Sequence, residues 1–143
     1  MPVPTWPRSD SPSLDPVTSK RWAERGDAEA FFAGAPVGLA VFDTVAAEVA
    51  ACGGAELRVA PTRVGWARRR GFAFLWSASM WFGARGAPLV LTVTLPDRAE
   101  SPRWKQVVEV RPGLWNHHLE VSDAAVVDAE VLAWVRAAYE AAG

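Results

Sequence analysis

Apolar positions recur along this chain with two different periods, and the switch between them outlines a fold. Val41, Phe42, Val45, Val49 and Cys52 fall at helical spacing and form one stripe of a helix that begins at Pro36. Proline suits the first turn, where its missing N–H costs nothing, and Gly53-Gly54 ends the run. A shorter helix over 28–33 precedes it, with Asp27 as cap and Gly34 as stop. Beyond Gly54 the period becomes two. Leu89, Leu91, Val93 and Leu95 alternate with Val90, Thr92 and Thr94 in the clearest strand of the chain, closed by Pro96-Asp97.

Residues 56–60 predict a short strand, and Arg63–Ala67 with 72–77 predict a hairpin across Arg68, Arg69 and Arg70. Within that hairpin Phe72, Phe74 and Trp76 share one face and Leu75 points to the other. Gly83 to Gly86 reads as a further turn. Strands over 107–111 and Leu114–Val121 are joined by Pro112-Gly113. Helical spacing then returns over 124–142, through Val131, Val135, Ala138 and Tyr139, with Trp134 beside them.

Helix, helix, five or six strands and a last helix predict an α+β domain. Short turns between successive strands imply an antiparallel meander of about five strands. The helices should pack mainly on one face, leaving the other partly open for function. Residues 1–25 hold five of the 11 prolines, with serines between them, and read as a poorly ordered tail ahead of a single domain over 26–143. Trp6 and Trp22 are unusual in such a tail, and Trp22 is the better candidate to dock onto the domain.

At 143 residues there is room for one core. The formal net charge is -1, so no global field draws in nucleic acid or an acidic membrane. Lys20 and Lys105 are the only lysines among 15 basic residues, which fits codon bias in a chain rich in Ala, Gly and Pro. Cys52 is the sole cysteine, so no intrachain disulfide forms and a reducing compartment fits. No apolar run reaches the length of a membrane span, and the first residues lack the pattern of a signal peptide. The expectation is a cytoplasmic protein.

Candidate chemistry gathers in the middle of the chain. Arg68, Arg69 and Arg70 offer planar donor forks for a phosphate or carboxylate, although a run of charge at a turn more often serves only solubility. Arg63, inside a strand, is a better ligand contact, with a structural salt bridge as the other reading. Trp66, Phe72, Phe74, Trp76, Trp81, Phe82, Trp104 and Trp115 supply either a core or the walls of an aromatic pocket.

His117 and His118 are the only histidines. As strand neighbours they point to opposite faces, so they cannot share a metal, and no further ligands cluster nearby. His117 shares its face with Trp115, Leu119 and Val121; His118 shares its face with Glu120. His117 is either a core histidine or a general base. No nucleophile elbow, phosphate loop or close carboxylate pair is present. Neither a metal nor a cofactor is expected.

Pro61-Thr62-Arg63-Val64-Gly65-Trp66 and Arg70-Gly71-Phe72-Ala73 are followed by the Leu-rich strand Leu89–Leu95 and by Pro102-Arg103-Trp104-Lys105-Gln106-Val107. This order resembles a small bacterial family known as domain of unknown function 5655. The paired histidines and a last helix with Trp134 and Ala138-Tyr139 fit as well, so the resemblance covers roughly 28–142. Arg63 stands where the family tends to carry lysine, and Trp66 near an expected Phe. Arginine keeps the charge but cannot act as an amine nucleophile, which tells against a covalent-lysine mechanism. The resemblance implies no activity. Members joined to other small domains suggest a binding or adaptor role.

The favoured expectation is therefore a non-catalytic module binding a small anionic or aromatic ligand through Arg63, Trp66, Trp76, His117 and Arg111. For it, Arg63, Trp66 and His117 should open onto one hollow. The alternatives are a small hydrolase or transferase with His117 as base and Arg63 and Arg111 on developing charge, and a protein-interaction domain dimerising through a sheet edge. Nucleic acid ranks below these, for want of a basic surplus.

Overall fold

The computed structural model describes residues 22–77 and 89–143. Helix α1 spans Arg25–Phe31, a turn earlier than its apolar spacing suggests. Glu24 is its N-cap, in a reciprocal capping box with Asp27, which occupies the third helical position instead of the cap. Helix α2, Pro36–Cys52, starts on its proline and stops at Gly53, whose φ of 130° excludes most side chains. Val41, Phe42, Val45 and Val49 are buried, and Cys52 is half-buried at the end of the stripe.

The strands are β1 (Glu56–Val59), β2 (Arg63–Ala67), β3 (Gly71–Ser77), β4 (Leu89–Leu95), β5 (Gln106–Arg111) and β6 (Leu114–Val121). They form one six-stranded sheet in the order β1-β2-β3-β4-β6-β5, every pair antiparallel. The class is α+β as expected, but the meander is interrupted. From β4 the chain crosses to the far edge as β5, then returns as β6 into the gap. Composition gives the reason: β5 exposes Gln106, Glu109 and Arg111, whereas β6 carries His117, His118, Leu119 and Val121 fully inside. Exchanging the two would place charge in the middle of the sheet. The Gly83–Gly86 turn expected before β4 and the tail prolines lie outside the described residues, as do Trp6, Trp81 and Phe82. Trp22 is 61% exposed, so the expected docking of that indole is not seen among the described residues.

The last helical segment is divided. A 3-10 turn over Ala124–Val126 precedes α3, Ala129–Ala141, because the Asp128 side chain accepts from the Val131 N–H and caps a new start. Both α2 and α3 pack on one face of the sheet, where Val64, Leu75, Leu91, Val93, Leu119 and Val121 meet Val45, Val131 and Val135 in the core.

Candidate functional site

Alternation along β2, β3, β4 and β6 sends a second set of side chains to the face away from the helices. Cross-strand pairs Arg63–Trp76, Phe74–Thr92 and Thr92–His118 place these residues next to one another on four strands. The Arg63 guanidinium carbon lies 4.9 Å from the Trp76 ring and 5.2 Å from the Phe74 ring. Both are cation–π distances. The Trp76 indole N–H donates to Thr92 Oγ1 at 2.9 Å, and that hydroxyl lies 2.7 Å from His118 Nδ1. Arg63, Trp76, Thr92 and His118 are all at most 4% exposed.

Burial sets their charge states. Desolvation, with Arg58 as a smaller like charge, lowers Arg63 to about 10, so it stays a cation at neutral pH. Desolvation, helped by His117, pushes His118 down to about 4 and keeps its imidazole neutral. Arg58 itself forms an ion pair with Glu56 at 2.9 Å.

The single hollow expected of Arg63, Trp66 and His117 does not exist, because the sheet stands between them. Trp66 turns to the helices and stacks on Phe42, with centroids 5.3 Å apart and planes 21° apart. His117 is fully buried on that same side. Its Nε2 accepts the Ala99 N–H at 2.9 Å, and Trp104 packs on its ring at 4.9 Å. Burial lowers its pKa. Arg111 ends the edge strand, exposed. Of the residues chosen from sequence, only Arg63 and Trp76 come together.

Phe72 also departs from its expected face. The β2–β3 register shifts between Trp66 and Ala67, and Phe72 turns to meet Tyr139 of α3 edge-on at 5.5 Å. Thr92 and His118 were missed as members of the polar cluster. Their one sequence signal is hydroxyls at alternate positions of an otherwise apolar strand. A separate, mostly apolar cleft of about 600 Å³ opens where Phe31, Phe32, Pro36 and Val37 meet Pro61 and Leu89. None of the residues above lines it.

Two of the motifs noted in the sequence serve the frame. Arg103 donates to Asp128, Glu130 and the Val126 carbonyl, tying the loop before β5 to the start of α3. Trp104 packs on Trp134 at 4.2 Å and donates its indole N–H to the Ala99 carbonyl. The family model described as Domain of unknown function (DUF5655) matches residues 28–142. The chain belongs to that family. No curated protein and no solved structure matches it. In this DUF5655 domain, Pro102-Arg103-Trp104 anchors a helix, whereas Pro61-Thr62-Arg63 delivers a buried cation to the opposite face.

Proposed function

We propose that this DUF5655 domain is a non-catalytic binding module, which holds a small anionic or aromatic ligand at the sheet face carrying Arg63, Phe74, Trp76, Thr92 and His118. One observation carries the reading: a guanidinium buried against two aromatic rings, beside a hydrogen-bonded Trp–Thr–His row, on the side away from the helices. Buried polar groups on a sheet face are costly, and clusters with strongly shifted pKa values concentrate at binding sites. Arg63 supplies positive charge and an in-plane fork of donors, while the rings orient it. Trp66 and His117 take no part, since both belong to the helix-side core. His117 and Arg63 face opposite sides of the sheet, which favours the binding reading over a hydrolase that uses them as base and charge stabiliser. A cytoplasmic setting fits the lone thiol.

A thermal-shift panel of aromatic carboxylates, phosphates and nucleotides tests the reading, because a ligand that binds only the native state raises the midpoint. At least one anionic compound should raise it, and Arg63→Ala should abolish the shift. A panel that leaves the midpoint unmoved removes the reading.

A second reading, association through the sheet edge, is favoured by β5, whose Val110 is 43% exposed. Sedimentation across a concentration series decides it: a constant monomer mass excludes self-association.

A further inference from the structure

Among the described residues, the arginine turn between β2 and β3 is a concentration of charge that the domain leaves unneutralised. Arg25, Arg58, Arg98, Arg103 and Arg136 each meet a carboxylate at hydrogen-bonding distance, whereas none pairs with Arg68, Arg69 or Arg70. Three consecutive cations repel one another, yet the turn that carries them is braced. The Arg68 N–H donates to the Arg70 carbonyl at 3.0 Å, and the Arg69 N–H to the Ala142 carbonyl at 2.9 Å. Arg68 Nη1 donates to the Tyr139 carbonyl at 2.8 Å and its guanidinium lies over the Tyr139 ring, so this side chain is committed to the end of α3. Arg69 is exposed. Arg70 is half-buried, and its Nε is enclosed with no acceptor among the described residues. A turn kept only for solubility needs neither the bracing nor a partly desolvated guanidinium.

We propose that this turn is a second binding site, for a compact oligophosphate, with Arg69 and Arg70 contacting the ligand and Arg68 as the positioning residue. The site is separate from the sheet face above, since Arg63 stands at the other end of β2, about 16 Å away along the strand. Guanidinium forks match phosphate oxygens in pairs, and a braced backbone lowers the cost of ordering them. More than one phosphate is needed, because a single exposed ion pair contributes little. The ligand is also short. With a formal net charge of -1 and the neighbouring arginines paired, no basic track leads away from the turn among the described residues, as a nucleic-acid strand would require. Tripolyphosphate and the phosphate tail of a nucleoside triphosphate share the fitting chemistry.

The full chain is titrated with orthophosphate, pyrophosphate and tripolyphosphate while backbone amide NMR signals are followed. The amides of residues 68–71 and 139–142 should move together, and affinity should rise with the number of phosphates. Arg69→Gln and Arg70→Gln should each weaken tripolyphosphate about tenfold, the loss of one charge-assisted hydrogen bond. Arg68 is left in place, so the brace remains and both variants keep the turn. Arg111→Gln removes the same unit of charge from the edge strand and should leave the affinity unchanged. Arg63→Ala should also leave it unchanged, which keeps this test apart from that of the sheet face. ATP binding no tighter than tripolyphosphate identifies the inorganic chain as the ligand, and tighter binding identifies a nucleotide; the oligophosphate assignment stands in either case. Amides that stay unmoved, or equal losses in Arg69→Gln and Arg111→Gln, overturn the site. A single-stranded oligonucleotide of equal charge that binds as tightly overturns the compact ligand.

Discussion

Adjacent imidazoles on β6 face opposite sides of the sheet and meet different neighbours. His117 Nε2 accepts the Ala99 N–H, so its hydrogen is on Nδ1, 3.3 Å from the Val93 carbonyl; His118 Nδ1 lies 2.7 Å from the Thr92 hydroxyl instead. Both are neutral because burial disfavours their charged forms. The consequence for stability has a definite sign. An unfolded His118 titrates at its ordinary 6.5, the folded one at about 4, so between these values the unfolded chain binds more protons. Stability should hold above pH 6.5, fall as the pH drops toward 4, and lose about 3 kcal/mol through His118 alone, with His117 adding to the fall. Urea unfolding at several pH values measures this, and His118→Gln should flatten the part of the slope above pH 5, where few carboxylates titrate. An unchanged slope in that variant contradicts the assignment. Thr92→Val, by orphaning the buried Trp76 N–H, should cost about 1–3 kcal/mol at neutral pH by the same measurement.

Elements are joined by contacts that the arginine turn and one glycine make possible. Arg68 donates to the Tyr139 carbonyl at 2.8 Å, lies 4.1 Å from the Tyr139 ring, and its neighbour Arg69 gives its backbone N–H to Ala142. The β2–β3 turn thus caps the C-terminus of α3, where positive charge is also favoured by the helix dipole. Arg68→Ala should destabilise the domain by about 1–2 kcal/mol, seen as a lower urea midpoint; an unchanged midpoint would show the turn to be only solvated. In α2, a Cβ at Gly38 would stand 2.4 Å from the Phe32 ring, so helix and preceding turn approach more closely than alanine allows. Gly38→Ala should cost about 1–3 kcal/mol despite its better helix propensity. Gly26→Ala in α1, with nothing within 4 Å of its Cβ, should gain about 0.5–1 kcal/mol. Opposite signs for the two changes, by chemical denaturation, are the test.

At the scale of the whole molecule the sheet acts as a partition. Its helix side is an apolar core closed by α2 and α3; its other side carries the cation, the rings and the Trp76–Thr92–His118 row on strands braced from behind. β4 and β6, paired over seven residues, run through the middle, while β5 is an edge broken by a register shift between Glu109 and Arg111. Charged ends and a bulge blunt such an edge, so association through β5 would rest on its exposed Val110. Amide hydrogen exchange should be slowest in β4 and β6, near the global unfolding limit, and faster in β5. Equal protection of β5 and β4 would mean that the edge is covered in solution.

Local periodicity was enough to locate most elements, because side-chain spacing along a helix or strand is a property of neighbouring residues. The bounds of β2, β4 and β6, the α2 stripe from Val41 to Val49 and the buried positions of α3 were all readable in this way. Alternation also told His117 from His118 as inward and outward. Pairing is a long-range choice, however, and no local pattern records it. Only the packed sheet decided that β6 enters between β4 and β5, that a bulge turns Phe72 from the face of Phe74 and Trp76 toward Tyr139, and that Arg63 and Trp66 part company across the sheet. The candidate site followed from those choices: Thr92 meets Trp76 and His118 only because three strands distant in sequence align in one row, where burial then fixes their protons.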